Sequence, residues 1–407
     1  MWKDINLSDE AAVRGVFVSA RDMSDRCHAA PYWRMGGHNG STYHFLEHVG
    51  THALARDLDL LRGAMGEARL SLYGASYGTE AMAVYASIFP EHVDRLVLDG
   101  NMHPVLNAVP FGLSLAVTVS QLIHRMLENC RVQPSCALKD PFRSFRDVLD
   151  ASQRGVLWSP RSIGGTRLSL TSGVVVGYLH SMAGLRGCGW KAALTTLALL
   201  ADADATRQQI GAARVLDVQC RIGDNITWRL YGACIDEVQV GVDTDAVMGT
   251  AVLGLDFAGR FDVESGVRLW RAARLLHGDH SLGLMLGYMS AIGTWRVQPA
   301  PVAPFGSARV APLVLANLYD QATGYQMSQR MAAAFPDSSL LSYQGVGHCL
   351  DSPAAPTNID PVGTGECFDA VQEYLRTGVK PLNGYTCSMQ VPIPVPTSLD
   401  VDGAARA

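Results

Sequence analysis

The sequence predicts an α/β fold, a mostly parallel sheet flanked by helices and carrying a large helical insertion, on three observations. Apolar runs of strand length alternate with runs of helical spacing early in the chain and again late in it, the pattern of a parallel sheet covered by helices. The first such strand and helix meet at Gly74-Ala75-Ser76-Tyr77-Gly78, with a glycine on each side of a serine. Between the two alternating parts, from about residue 105 to residue 300, the strand pattern stops and the apolar spacing is helical.

The elements follow in order. Ala68 to Tyr73 is short and apolar enough for a buried strand; Thr79 to Phe89 has helical spacing and stops at Pro90. Strand, Gly-x-Ser-x-Gly and helix in succession form a nucleophile elbow, in which the two glycines permit a turn so tight that the Ser76 hydroxyl stands exposed. The pentapeptide alone is a weak signal, and its flanks carry the assignment. Val93 to Leu98 is the next strand and ends at Asp99-Gly100.

Helical spacing in the insertion appears at Leu113 to Glu128, Pro141 to Gln153, Ser172 to Leu185, Trp190 to Asp202, Ala246 to Leu255 and Val267 to Leu276. Gly164-Gly165 and Gly211-Ala212-Ala213 mark connections. Helices inserted at this place in such a sheet act as a lid that shapes the pocket and excludes water, so selectivity is expected there. The expected division is 1–104 for the first part of the core, 105–300 for the lid, 301–388 for the last part of the core and 389–407 for a Pro-rich tail. Val391 to Pro396 in that tail is expected to be extended and dispensable.

A nucleophilic serine needs a base, and the base needs a carboxylate to hold its tautomer. Pro312 to Leu318 reads as a buried strand with Asp320 just past its end. A helix from Tyr325 to Phe335 follows, then a strand from Ser339 to Tyr343 running into Gln344-Gly345-Val346-Gly347-His348. Acid and base thus each fall on a loop after a strand, where residues from separate strands converge. The order Ser76, Asp320, His348 is that of elbow-type hydrolases. Among the 12 histidines, His348 stands out because glycines bracket the approach to it. Asp99 also ends a strand and is the alternative acid; a turn residue in Asp99-Gly100 is the preferred reading. The Tyr77 backbone N–H is expected to face the oxyanion.

Composition sets bounds. With 407 residues, 48% hydrophobic and 17% charged, the chain is long enough to bury a substantial core. A net charge of −5 without a basic run argues against nucleic acid as a partner. No apolar stretch reaches the ~20 residues of a membrane span. Neither a phosphate-binding loop nor metal-ligand spacing is present, so no cofactor and no metal are expected.

Nine cysteines are many for a cytosolic enzyme, and the odd total leaves at least one unpaired. Cys367 and Cys387 flank a helical run and a turn containing Pro381 and Gly384, which suits a disulfide; Cys130 and Cys136 are placed to close a short loop. Asn6, Asn39 and Asn225 open glycosylation sequons. The run Met1-Trp2-Lys3-Asp4-Ile5-Asn6 starts no signal peptide, because no apolar stretch follows.

Tyr73 to Thr79, Tyr85-Ala86 and Phe89-Pro90-Glu91-His92-Val93-Asp94-Arg95-Leu96-Val97-Leu98-Asp99-Gly100 resemble the α/β-hydrolase peptidases of the tripeptidyl aminopeptidase and prolyl aminopeptidase type. So does Ala53 to Arg62. The late part is similar to the C-terminal domain of the tripeptidyl group, at Asp320-x-x-Thr323, Met331-Ala332, Gly345-x-Gly347-His348, Cys367, Tyr374-Leu375, Gly378, Pro381, Gly384 and Cys387. The middle is similar more loosely, at Trp190-x-x-Ala193-Leu194 and Cys220. The resemblance implies the catalytic set Ser76, Asp320 and His348, a peptide or ester substrate, and export from the cell.

The departures are informative. The family pattern at the acid is Asp-Pro-x-Thr-Pro, whereas this chain has Asp320-Gln321-Ala322-Thr323-Gly324, and loss of both prolines is expected to loosen the loop. The family also has early strands and a Gly-rich loop that donates a second oxyanion N–H. Only 75 residues precede Ser76, and Met35-Gly36-Gly37-His38-Asn39-Gly40 reads as a surface loop. The expectation is a chain lacking its upstream part, with an impaired oxyanion hole.

Three functions follow: a serine exopeptidase releasing short peptides from a free N-terminus, a carboxylesterase using the same residues, or a non-catalytic binding protein that keeps the pocket. An aminopeptidase also needs an anion for the substrate ammonium; Asp236, Glu237 and Glu264 in the insertion are candidates, each more ordinarily a solvated surface acid.

Overall fold

The computed structural model describes residues 5–102, 107–157, 170–184, 189–201, 244–297, 306–350, 365–388 and 393–406. Their order begins with helix α1 (Glu10–Ala29), a hairpin of β1 (Arg34–Gly36) and β2 (Thr42–His44), and helix α2 (Thr51–Ala64). Then come β3 (Leu70–Ala75), α3 (Tyr77–Ile88) and β4 (Val93–Asp99). A run of helices follows: α4 (Ala108–Arg131), α5 (Pro141–Gln153), α6 (Ser172–Ala183), α7 (Gly189–Ala201), α8 (Thr244–Asp256), α9 (Val263–His277) and α10 (Leu282–Thr294). The chain then returns to β5 (Leu313–Tyr319), α11 (Tyr325–Ala334), β6 (Ser339–Val346), α12 (Gly365–Thr377), β7 (Tyr385–Cys387) and α13 (Ser398–Arg406).

Strands β3 to β7 form one sheet in sequence order, every pairing parallel. A parallel sheet must be covered on both faces, and the strand pleat divides its residues accordingly. Leu96, Leu98 and Val314 enter one core with Val84 and Tyr85 of α3 and Met331 of α11. Their neighbours Val97, Leu313 and Leu315 enter another with Val371 and Tyr374 of α12. All carboxyl ends of the strands therefore open on one edge, where loops from different strands meet.

The helical region has its own core. Ala116 and Val119 of α4, Phe145 of α5, Trp190 of α7 and Trp270 of α9 pack together, joined by Val13 and Phe17 of α1. Thus α1, which precedes the elbow in sequence, packs with the inserted helices. Helix α10 escapes the periodicity reading because it is apolar on nearly every side, which is what full burial demands. Met35 to Gly40, read as a surface loop, ends β1 and forms the largely exposed turn of a hairpin whose strands pair Arg34 with His44 and Gly36 with Thr42.

The tail is anchored. Asn129 and Gln133 of α4 donate to Ile393 O, Ala137 N donates to Pro396 O at 2.8 Å, and α13 is tied to α7 by Lys191–Asp400 at 2.7 Å. Its 393–397 stretch forms neither helix nor strand, and the helix after it was not foreseen. No helix among the described residues is long and apolar enough to cross a membrane.

Candidate active site

Ser76 sits between β3 and α3 with φ 55° and ψ −125°, a backbone conformation that side-chain-bearing residues rarely adopt. Such strain, which costs on the order of 1–3 kcal/mol, persists where the surroundings fix it. Here Ser76 N donates to Asp99 O at 2.9 Å, and Ser76 O accepts from Thr79 N and from Thr79 Oγ1. Gly74 is required: a Cβ there would collide with the Gly78 carbonyl, 2.7 Å from its carbon. Gly78 is not required in the same way, since a Cβ there meets nothing within 4 Å. The expectation that both glycines are needed for the turn holds sterically for the first alone.

Asp320 follows β5 and His348 follows β6, at the same edge of the sheet as Ser76. His348 Nδ1 lies 3.0 and 2.9 Å from the two Asp320 carboxylate oxygens. Asp320 is buried, and its Oδ1 also accepts from Ala322 N and Thr323 N, both at 2.8 Å. Thr323 Oγ1 adds a bond to Oδ2 at 3.2 Å. The loop that lacks the family's prolines is therefore not loose. The N–H groups it uses are those of residues 322 and 323, not 321 or 324. Gly324 lies so close to Thr118 of α4 that a Cβ would collide, and Gln321 O meets His180 of α6 at 2.6 Å.

Burial alone would lower the His348 pKa, but the charge and hydrogen bond of Asp320 outweigh it and hold it well above the ordinary imidazole value. With Nδ1 committed to Asp320, Nε2 is buried and has no hydrogen-bond partner, Ser76 Oγ included. A free Nε2 is the atom a general base uses, and apo sites are often loose at this contact.

Residues the sequence reading did not single out, or read otherwise, shape the histidine loop. Asn317, buried in β5, donates from Nδ2 to Gly347 O and Cys349 O. Asp99, expected to be a turn residue, is fully buried and accepts from Leu350 N at 2.8 Å and from Tyr73 OH at 2.7 Å. Its carboxylate is thus engaged two residues beyond His348 rather than on the imidazole. Gly100 (φ 64°) completes the fit, because a Cβ there would lie 2.7 Å from Cys349 Sγ and 3.2 Å from His348 Cε1. A polar residue inside an apolar strand, as Asn317 is, was the one available signal.

Behind Ser76 the first turn of α3 enters a buried polar cluster. Asp256, at the end of α8, accepts from Tyr77 OH at 2.7 Å and from Thr51 N and Oγ1 at 2.8 and 2.6 Å. Burial raises the Asp256 pKa despite these bonds. Glu80 is fully buried, and neither carboxyl oxygen has a partner. Burial first, and the nearby Asp256 second, push its pKa well above the carboxylate range. Of the acids expected to await an ammonium, Glu264 is ion-paired with Arg14 at the surface; Asp236 and Glu237 lie outside the described residues.

Cys367 and Cys387 are disulfide-bonded, with Cα atoms 5.7 Å apart, as are Cys130 and Cys136 at 5.5 Å. Cys27 is disulfide-bonded too, and Cys349 is a buried thiol whose Sγ donates to Asp99 O at 3.4 Å.

Comparison with known proteins accords with this geometry. Residues 27–120 match the family model of the alpha/beta hydrolase fold, and residues 290–387 match that of the TAP-like protein. The chain has the α/β-hydrolase fold, and its residues 290–387 are similar to the TAP-like family. Among its relatives, the chain is 27% identical to serine protease Hip1 of Mycobacterium tuberculosis over 370 residues, 84% of this chain and 62% of that protein. The match thus spans about three fifths of the Hip1 sequence. It is 49% identical to the tripeptidyl aminopeptidase of Streptomyces lividans over 70 residues, 17% of this chain and 13% of that protein. An esterase from Exiguobacterium antarcticum overlaps 83% of this chain and 78% of its own at 11% identity, with a TM-score of 0.30, too loose a superposition to add weight.

Proposed function

We propose that the chain is a serine hydrolase acting through an acyl-enzyme, and within that class an exopeptidase that releases short peptides from a free N-terminus. The observation that carries the reading is the strained Ser76 backbone at the same sheet edge as a His348–Asp320 pair whose Nε2 is free. Support for the peptidase class comes from the TAP-like match and the likeness to a tripeptidyl aminopeptidase. Ser76 Oγ attacks the scissile carbonyl carbon while His348 Nε2 takes its proton, and Asp320 stabilises the imidazolium. The tetrahedral oxyanion faces the Tyr77 N–H. His348 then returns the proton to the leaving amine, and water attacks the acyl-Ser76 ester with His348 again as base.

Tyr77 N–H is the one oxyanion donor this reading assigns. One such donor lowers the barrier by about 2.7–4 kcal/mol. The helices of residues 105–300 serve as the lid in this proposal, with Gln321 beside the acid packed on Gly184 of α6. Disulfides in the described residues fit an oxidising compartment, which supports export.

The experiment is covalent labelling by a fluorophosphonate, run beside hydrolysis of a tripeptide anilide with a free or acetylated N-terminus and of a nitrophenyl ester. Labelling that disappears in Ser76→Ala, with the free N-terminus preferred, is expected. Equal cleavage of the two anilides would remove the aminopeptidase assignment, ester turnover without anilide turnover would favour a carboxylesterase, and absence of labelling would leave a binding protein.

A further inference from the structure

A cleft of about 600 Å3 opens where the end of α1 meets the hairpin, lined by His28, Arg34, His44, Glu47 and Arg296 among others. None of Ser76, Asp320 or His348 lines it. Its polar groups are unusual in being unfinished. His28 and His44 stack with ring centroids 5.2 Å apart and planes 14° apart. His28 Nδ1 donates to Ser24 O at 2.8 Å, which leaves Nε2 buried without a partner. Both ring nitrogens of His44 are likewise buried and unpartnered. Buried polar atoms without partners are rare in folded proteins and call for a ligand or an ion. Trp295, in edge contact with His28 at 4.9 Å, keeps that ring in place.

Charge selects the ligand. Arg34 and Arg296 are exposed at the rim, and among the described residues the one ion pair of Arg296 is a long one, 3.9 Å to Asp25. Neutral His44 carries one N–H donor, and protonation makes donors of the remaining nitrogens of both rings. We propose that this cleft is a binding site for a small oxyanion, a carboxylate or a phosphate, held by His28 and His44 inside and by Arg34 and Arg296 at the rim. Binding takes up protons. Burial, the His44 ring and the Arg296 charge hold the His28 pKa below its ordinary value, and an anion between these groups reverses the last two effects. Among the described residues, Glu47 and Tyr43 also line the cleft, and Asp25 of α1 pairs with Arg296 at its rim. The Glu47 carboxylate opposes an anion there whereas each ring proton gained favours it, so affinity should rise as the pH falls.

The test is calorimetric titration of the full chain carrying Ser76→Ala, with inorganic phosphate and, separately, with N-acetyl-trialanine and its C-terminal amide, at pH 7.5 and 5.5. Affinity for the oxyanion should increase about tenfold at the lower pH, because each ring proton gained adds a donor and a positive charge facing the anion. Arg34→Ala should weaken binding at both pH values, and His44→Ala should flatten the pH dependence; circular dichroism would establish that both variants fold. Binding of the peptide acid but not its amide assigns the site to a peptide carboxylate, and binding of phosphate alone assigns it to phosphate. No heat with any anion, or binding that both substitutions leave unchanged, would overturn the proposal.

Discussion

Asn317 grips the backbone on both sides of His348: its Nδ2 donates to Gly347 O at 2.7 Å and to Cys349 O at 2.9 Å. The amide never touches the imidazole, yet it fixes the segment that carries it, and Asp99 fixes the same segment through Leu350 N. Asn317→Ala would leave two buried carbonyls without this donor, at about 1–3 kcal/mol. The rate of fluorophosphonate labelling should fall at least about tenfold, since misplacement of a catalytic group by 1 Å is costly. Asn101→Ala is the control. Asn101 is equally buried but donates to Leu98 O, Leu315 O and Ser328 Oγ, away from the histidine loop. It should lower the melting temperature similarly while sparing the labelling rate; equal loss of labelling in both variants would reduce Asn317 to a general stabiliser.

The raised pKa of His348 fixes the sign of the pH dependence. Neutral imidazole is the base, so labelling of Ser76 should increase with pH through a midpoint above the ordinary histidine value of about 6.5. Asp320→Asn removes the charge that holds the pKa up and leaves the burial that pulls it down. The midpoint should move to lower pH while the maximal rate drops by as much as ~10⁴. Stability runs the other way: because the folded pKa exceeds the unfolded one, the His348–Asp320 pair contributes fully below about pH 6.5 and fades as the pH rises through the folded pKa. A labelling midpoint unchanged by Asp320→Asn would remove Asp320 from contact with the base.

Much of this was legible in the chain. Strand–turn–helix at Ser76, and strands before Asp320 and His348, are short-range patterns, and the parallel sheet with its inserted helices follows from them. What stayed hidden depends on partners distant in sequence. Asp99 looks like a turn residue until Leu350, 251 positions away, is seen to donate to it. The firmness of the loop at Asp320 was misread because prolines are visible in a sequence, whereas the N–H bonds of Ala322 and Thr323 are not. Helix α10 was missed for the opposite reason: burial on all sides erases the periodicity that reveals an amphipathic helix.

Cys367, in the first turn of α12, is bonded to Cys387 of the edge strand β7, closing a loop with a sequence separation of 20. Constraining a loop of that length in the unfolded chain stabilises the fold by about 3 kcal/mol. A Cys367→Ser, Cys387→Ser double variant should therefore melt several degrees lower. Because β7 pairs only with β6 in the sheet, and Ser76 lies at the far strand β3, labelling at a temperature well below the transition should persist. Proteolysis between residues 365 and 388 is the sensitive readout. Unchanged melting and unchanged proteolysis would show that the disulfide adds little here.

Glu80 offers the sharpest stability test. It sits one helical turn after Ser76, fully buried, with both carboxyl oxygens unpartnered and Asp256 nearby. Burial disfavours its ionised form, so the folded pKa stands well above the unfolded value near 4.3. Below that value both states are protonated and Glu80 is neutral to folding. As the pH rises, the unfolded chain ionises while the folded chain resists, and stability declines until the folded pKa is passed. Glu80→Gln keeps the shape and removes the titration. The variant should match the parent at pH 4 and exceed it at pH 8, with the melting temperature rising by about 1 °C per kcal/mol recovered. Thermal denaturation across that range is the measurement. A variant less stable than the parent at pH 8 would mean that Glu80 is ionised and stabilised in the folded chain, contrary to its unpartnered burial beside Asp256.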